Sequence, residues 1–266
     1  ADIGGVLHAE NRLIARAGND FTVSSTTRSQ ANEQGSRSTI DRVAGLYVSG
    51  PDGTLVASAG NDLALIGARI ENAVSLASAA AGTFTLKPST TLLAGHDIDF
   101  STLNEDARQK IVWDSDNTRF DARRSEVGST LRSAGDIVIQ AGNDVHARAA
   151  YIDSERGALR ILAGRDIDLV SGVAASQVDE AHRHSERGFL SRTTRSTRDA
   201  IDETYALAST LSAATATLGA GRDLRIEGSA VVASDDATLL AGRDVAVEAA
   251  RSTSQQTHFN EVSKRG

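Results

Sequence analysis

The sequence predicts an all-β fold of stacked parallel strands, and three observations support this. One tetrapeptide, Ala-Gly-x-Asp, recurs seven times in the 266 residues. Apolar residues occupy the first and third positions after each of these aspartates, which is the period-two pattern of a strand with one buried face. The chain is 40% hydrophobic but only 4% aromatic, so its core must consist of Val, Ile, Leu and Ala. A short unit repeated in this way favours a repeat architecture.

The repeated corner pairs a glycine with an aspartate two positions later. The seven pairs are Gly18/Asp20, Gly60/Asp62, Gly95/Asp97, Gly142/Asp144, Gly164/Asp166, Gly221/Asp223 and Gly242/Asp244. Glycine tolerates the positive φ that a sharp bend needs, and an aspartate side chain can accept hydrogen bonds from neighbouring backbone amides. We therefore interpret these fourteen residues as structural corner residues. The variable residue between them is expected to point outward.

Two further alternating segments precede each corner, as at 157–162 and 228–234. The unit is thus strand, corner, strand, corner, strand within about 21 residues. Successive corner glycines are 42, 35, 47, 22, 57 and 21 residues apart, so the longer intervals need extra coils or insertions. A unit this short cannot bury its own apolar face and must stack on its neighbours. Three-strand coils stacked at about 4.8 Å form a parallel β-helix, and we expect residues 1–266 to be one such domain.

Polar insertions interrupt the repeat. They lie at about 22–43, 101–131, 176–211 and, as the start of a further copy, 251–266. Their Ser/Thr-rich composition favours β-hairpins that project from the wall, whereas balanced charge and few apolar residues at 176–206 would also suit disordered loops. Residues 197–209 could instead form a short helix.

Apolar residues stand within two of these insertions. Trp113 and the pair Phe189-Leu190 are candidate contact tips for a partner or a membrane surface. The alternative is that they fold back over the wall of the helix.

Composition excludes several classes of protein. The net charge is −7 and the isoelectric point is about 5.4, so binding to nucleic acid is disfavoured and none is expected as a partner. There is no cysteine for disulfides or thiolate chemistry. No apolar run approaches the roughly 20 residues that span a bilayer. The chain starts with Ala1 and contains no methionine, and we expect it to be a fragment of something longer.

The acidic pairs raise the possibility of an enzyme, because parallel β-helices can carry carboxylates that cleave polysaccharides. Candidate pairs are Asp97/Asp99, Asp114/Asp116, Asp166/Asp168 and Asp235/Asp236. No basic cluster adjoins them and aromatic platforms for sugars are scarce. The sequence therefore favours solvated structural acids, and we assign no catalytic residue.

Calcium and zinc are the two metals that acidic and histidine side chains of this chain could bind. One aspartate per coil supplies too few oxygen ligands for calcium. His182 and His184 would share a strand face, but zinc needs a third or fourth ligand and only His258 lies in a comparable place. We expect neither a metal nor a cofactor.

Residues 37–73, 125–172 and 188–259 resemble haemagglutinin repeats of the filamentous-haemagglutinin-like exoproteins of Gram-negative two-partner secretion systems. The pattern is most similar to the second repeat region of contact-dependent growth-inhibition exoproteins and covers nearly the whole chain, most weakly at 83–124. The resemblance implies a right-handed β-helical filament, secreted to the cell surface through an outer-membrane transporter. It further implies a role in moving a C-terminal toxin across the outer membrane of a target cell. The family's recognised residues are structural, so no catalytic residue carries over.

The resemblance leaves two functions open, delivery of a toxin and adhesion to host or bacterial surfaces. A filament segment also exposes unpaired strand edges at both ends, so we expect end-to-end self-association.

Overall fold

A computed structural model describes residues 2–3, 5–72 and 88–265. These residues form 29 strands in four sheets and no helix. The predictions that fall on Ala1, Gly4, 73–87 and Gly266 lie outside the described residues. The predicted all-β fold with parallel sheets is confirmed.

Three of the sheets are parallel, and each takes one strand from every repeat. Sheet 1 contains β2 (Val6–Ala9), β7 (Gly45–Val48), β10 (Arg69–Asn72), β15 (Thr130–Ser133), β18 (Tyr151–Ser154), β23 (Thr210–Ala213) and β26 (Ala230–Ala233). Sheet 2 contains β3 (Arg12–Ala17), β8 (Thr54–Ala59), β11 (Ser89–Ala94), β16 (Asp136–Ala141), β19 (Ala158–Ala163), β24 (Thr215–Ala220) and β27 (Ala237–Ala241). Sheet 3 contains β1 (Asp2–Ile3), β4 (Phe21–Ser24), β9 (Leu63–Ile66), β12 (Ile98–Ser101), β17 (Val145–Arg148), β20 (Ile167–Val170), β25 (Leu224–Glu227) and β28 (Val245–Glu248).

The fourth sheet is antiparallel and is called the hairpin sheet. It contains β5 (Thr26–Asn32), β6 (Gly35–Arg42), β13 (Leu103–Val112), β14 (Thr118–Val127), β21 (Gly172–Arg187), β22 (Arg192–Leu207) and β29 (Thr253–Arg265). In the described ranges its hairpins lie between Thr26 and Arg42, between Leu103 and Val127, and between Gly172 and Leu207. The alternative of a helix at 197–209 is wrong, because β22 pairs along its length with β21 on one side and β29 on the other.

The chain visits sheets 1, 2 and 3 in turn, and each such run of three strands is called a triplet. The described residues contain seven triplets: β2–β4, β7–β9, β10–β12, β15–β17, β18–β20, β23–β25 and β26–β28. Neighbouring triplets pair in parallel, as Ile139 does with Ile161 in sheet 2. Equivalent side chains therefore lie above one another.

The inward side chains of the three parallel sheets form one core. The predicted strand positions after the corner aspartates are buried, for example Leu63, Ile98 and Leu224. In the last triplet Val247 is 69% exposed, because no further triplet covers it in the described part of the chain. Burial at this position comes from the neighbouring triplets rather than from the strand itself.

The hairpins keep a fixed phase relative to the triplets. A hairpin follows the first, third and fifth triplets, and β29 follows the seventh. Neighbouring strands of the hairpin sheet are about 4.8 Å apart, and stacked triplets are separated by the same distance. A hairpin adds two strands to its sheet, so it advances along the molecule as far as two stacked triplets do. The hairpin sheet therefore has one strand per triplet, which lets successive hairpins pair with one another along the molecule.

Candidate functional site

The corner glycines allow close approach of the chain rather than an unusual backbone angle. A Cβ on Gly142 would lie 2.9 Å from the carbonyl carbon of Gly95 and closer still to its oxygen. The same overlap recurs at every corner glycine except Gly18, which has no described atom within 4 Å of that position. The expectation of positive φ is wrong, because among the described residues positive φ occurs only at Gly67, Ala149 and Gly228.

The corner aspartates form a ladder from one triplet to the next. The backbone N–H of Asp97 donates to the Asp62 carboxylate at 3.2 Å, and that of Asp144 donates to Asp97 at 3.1 Å. The ladder continues from Asp166 to Asp144 at 3.0 Å and from Asp223 to Asp166 at 3.1 Å. Each of these carboxylates thus binds an amide in the following corner. The hydrogen bond therefore joins two neighbouring triplets and does not close a single turn.

The two terminal corner aspartates differ from the five between them. Asp20 and Asp244 are exposed, whereas the five corner aspartates between them are half-buried. Asp20 accepts only a long hydrogen bond of 3.4 Å from the Asp62 amide. The Asp244 amide donates to the Asp223 carboxylate, but in the described ranges the Asp244 side chain itself accepts no hydrogen bond. The reason is that no described corner precedes Asp20 to cover it and none follows Asp244 to supply an amide.

Arginine strengthens this ladder in its C-terminal part. The variable corner residues Arg165, Arg222 and Arg243 are exposed, and each bonds to the preceding corner aspartate. The Arg222 guanidinium lies 2.6 Å from Asp166 and holds the pKa of that carboxyl below its usual value. Arg243 lowers the pKa of Asp223 in the same way. The earlier corners have Asn or His at this position.

The candidate catalytic acids are not gathered into one site. Asp114 accepts hydrogen bonds from Asn117 and from the Asp116 amide within the turn of a hairpin, and these lower its pKa. Asp99 differs, since burial raises its pKa against the opposing effect of His146. Register places Asp99 beside His146 and His146 beside Asp168 on the outer face of sheet 3.

The histidines of the hairpin sheet each have a separate carboxylate partner. His182 lies 2.6 Å from Glu180, and His258 contacts Asp199. His184 lies 3.6 Å from Glu186. In the ranges that the structure describes, no three His, Cys, Asp or Glu side chains are grouped so that they could hold a metal ion.

The candidate contact tips take two different positions. Trp113 is 53% exposed and stacks on His182 of the neighbouring hairpin, with ring centroids 5.3 Å apart. Phe189 and Leu190 are 101% and 82% exposed at the turn between β21 and β22. A hydrogen bond of 2.8 Å from the Gly188 N–H to the Ser191 carbonyl closes that turn.

Buried serines at the hairpin roots are structural residues that the sequence reasoning missed. Ser209 donates to the Val170 carbonyl at 2.7 Å and accepts from the Ala150 N–H at 3.0 Å. Ser129 donates to the Leu65 carbonyl at 2.8 Å and accepts from the Ala68 N–H at 3.0 Å. The tripeptide Ser-Thr-Leu occurs at 101–103, 129–131 and 209–211, and this repetition was a partial signal, because Ser101 is not fully buried.

Comparison with known proteins finds similar sequences. Residues 190–265 match the model of the hemagglutinin repeat. The chain is 30% identical over 149 residues to the 16S rRNA endonuclease CdiA of Enterobacter cloacae, covering 56% of this chain and 4% of that protein. It is 29% identical over 259 residues to the deoxyribonuclease CdiA of Dickeya dadantii, covering 87% of this chain and 7% of that protein.

A tRNA nuclease CdiA of Escherichia coli is 29% identical over 265 residues, which is 99% of this chain and 8% of that protein. The chain thus spans less than a tenth of the length of these curated relatives. No solved structure matches, and no helix in the described ranges is long and apolar enough to cross a bilayer. The chain therefore carries the haemagglutinin repeat and, at low identity, is homologous over much of its length to the CdiA exoproteins of contact-dependent growth inhibition.

Proposed function

We propose that the chain is a non-catalytic filament segment of a secreted, cell-surface exoprotein and helps to deliver a C-terminal toxin across the outer membrane of neighbouring bacteria. The observation that carries this proposal is the combination of stacked triplets with homology to CdiA proteins along almost the whole chain. Such a segment would reach the surface of a Gram-negative cell through an outer-membrane transporter of the two-partner type.

In this proposal the triplets are coils of a right-handed parallel β-helix with about 21 residues per coil, and residues 1–266 are one domain. Connections between parallel strands of one sheet are right-handed in nearly all proteins. Corner glycines of adjacent triplets are 22 residues apart at Gly142 and Gly164 and 21 apart at Gly221 and Gly242. The corner ladder is then scaffold, and the exposed β28 and its neighbours at the open end favour end-to-end association of the isolated segment.

A non-catalytic role agrees with how the candidate acids are used. Asp97 and Asp166 bind backbone amides of the next corner, and Asp114 binds the turn of its own hairpin. Asp99 and Asp168 lie on either side of His146 on the outer face of sheet 3, so an imidazole separates these two acids. Release of reducing ends from polysaccharides by the purified chain would overturn this part of the proposal.

A deletion that preserves the phase of the fold tests delivery in the complete exoprotein. Removing residues 130–209 joins Ser129 to Thr210 and restores the Ser-Thr-Leu sequence at the junction. The deletion takes out two triplets and the longest hairpin but keeps hairpins after every second triplet. A second deletion, of residues 151–170, removes one triplet, breaks the alternation and serves as the misfolded control.

We expect the phase-preserving variant to be displayed on the producing cell at the parental level but to inhibit the growth of target cells at least tenfold less. Unchanged inhibition would refute a role in delivery. Adhesion is the second candidate, because the hairpin sheet projects exposed tips. Adhesion would replace delivery as the proposed function if the phase-preserving variant lost binding to target cells but kept its inhibition of their growth.

A further inference from the structure

The outermost end of the longest hairpin combines an apolar apex with a row of arginines. Register pairs Arg187 with Arg192 and Arg192 with Arg265, so three arginines from β21, β22 and β29 lie side by side on one face of the hairpin sheet. Phe189 and Leu190 form the turn directly beyond this row. We propose that this tip binds the surface of an anionic lipid bilayer, with the apolar pair inserted among the lipids and the arginines on their phosphates.

Folding does not explain the arginine row. Like charges directly opposite one another destabilise a sheet. In the described part of the chain none of these three arginines forms an ion pair, whereas Arg198, farther down the same hairpin, is bound to Asp179 at 2.6 Å. Including Lys264 and Glu186 of the next row, the end of the sheet carries four cations and one carboxylate. This local charge is opposite in sign to the net charge of −7 of the whole chain.

The apolar apex is placed for contact and not for folding. Phe189 is 101% exposed, more than any other large hydrophobic residue that the structure describes. The 2.8 Å bond between Gly188 and Ser191 closes the turn, so both side chains are held at its outermost point. An aromatic and an aliphatic residue beside basic residues is the arrangement that anchors proteins at a membrane interface.

The reach of the hairpin supports the same conclusion. Strands β5 and β6 have 7 and 8 residues, β13 and β14 have 10, and β21 and β22 have 16. At about 3.4 Å per residue the longest hairpin extends roughly 54 Å, some 20 Å beyond its neighbour. Its tip is therefore the first part of the described hairpin sheet to meet a flat surface.

A bilayer fits better than other anionic partners. Two apolar side chains offer about 300–400 Å² in all, well under the roughly 800 Å² that each partner buries in a stable protein interface. A nucleic acid would use the arginines but give the exposed Leu190 no apolar surface to contact. This inference rests on the proposed function, in which the chain acts at the outer membrane of a neighbouring cell, and it names the chemistry of contact with that membrane.

Sedimentation with vesicles tests the proposal on the complete chain. The vesicles are phosphatidylcholine alone, or phosphatidylcholine in which about a third of the lipid is phosphatidylglycerol. We expect binding to the anionic vesicles only, weakening as salt rises because the charges are screened. Replacing Arg187, Arg192 and Arg265 together with Gln should lower binding by about a hundredfold. The change Phe189→Ser with Leu190→Ser should lower it by roughly tenfold or more.

Matched controls remove the same groups elsewhere. Arg37→Gln, Arg108→Gln and Arg123→Gln take three exposed arginines from nearer the roots of the hairpin sheet, and Val6→Ser with Leu7→Ser takes two exposed apolar residues from the other end. These variants should bind like the parent. Equal losses in controls and tip variants, undiminished binding by the triple arginine variant, equal binding to neutral vesicles, or full competition by free inorganic phosphate would each overturn the proposal.

The two proposals can fail separately. Suppose that the tip variants lose vesicle binding while the complete exoprotein with the same substitutions still inhibits target cells. In that case delivery does not use this contact, and the proposed function stands. If the parent chain binds vesicles normally but the phase-preserving deletion leaves growth inhibition unchanged, the delivery function fails and the lipid contact stands.

Discussion

Replacing one corner glycine with alanine should disrupt the stacking of two triplets. A Cβ at position 142 would lie 2.9 Å from the carbonyl carbon of Gly95, whereas ordinary carbon contacts are about 3.5–4.0 Å. The two corners must therefore separate by roughly 0.6–1 Å. That separation stretches the 2.9 Å bond from the Asn143 N–H to the His96 carbonyl and the 3.1 Å bond from the Asp144 N–H to Asp97.

Overpacking costs about 1–3 kcal/mol and each weakened hydrogen bond up to about 1 kcal/mol. We expect Gly142→Ala to lower the free energy of unfolding by roughly 2–4 kcal/mol, with a fall in Tm of about 5–15 °C in thermal unfolding followed by circular dichroism. Gly18→Ala is the matched control, because the same motif there has no described atom within 4 Å of the new Cβ. Its effect should stay within about 0.5 kcal/mol. Equal effects at both positions would refute the argument from close approach and favour a conformational requirement of the motif itself.

Four further changes are expected to shift stability. Ser209→Ala leaves the buried Ala150 N–H without its acceptor and should cost about 1–3 kcal/mol in thermal unfolding, while Ser263→Ala on the exposed β29 should cost nothing measurable. Ala149→Gly should stabilise the fold by up to about 1 kcal/mol, because Ala149 has a φ of 46°; a loss of stability would contradict this. Arg222→Gln should lower Tm at neutral pH, because it removes the ion pair with Asp166. The difference should vanish as pH falls through the lowered pKa of Asp166, since that carboxylate stabilises the fold only while it is charged. A difference that persists in acid would count against the ion pair. Asp99→Asn should raise Tm at neutral pH, because burial raises the pKa of Asp99 and its charged form therefore destabilises the fold. This advantage should disappear in acid, below the unfolded pKa near 4, where Asp99 is protonated in both states. The opposite trend would refute burial as the cause.

Much of the fold could be predicted because its information is local and repeated. Alternating residues after each corner aspartate mark strands, and a repeat too short to bury its own face must stack. Both rules apply to Ile98, Ile167 and Leu224, which are buried as expected. They fail at Val247 and Asp244, because burial and a bound carboxylate there need a further triplet and not only the right residue.

Contacts between triplets were beyond the same reasoning. The link from the Asp166 carboxylate to the Asp223 amide joins residues 57 positions apart, and the contact from Ser209 to Ala150 joins residues 59 apart. Both depend on which triplets are neighbours and on where hairpins are inserted. The arginine row is similar, since its three members come together only through the register of three strands.

The sequence by itself determined that this protein consists of repeated strands with glycine and aspartate at their corners, because turn chemistry and period-two burial are properties of short segments. The tertiary structure alone decided why the glycines are needed, which amide each aspartate binds, and that each hairpin strand accompanies one triplet. Those outcomes depend on a spacing of about 4.8 Å shared by the stacked triplets and the paired hairpin strands. That common spacing brings distant residues into contact and turns separate insertions into one sheet with an exposed, cationic tip.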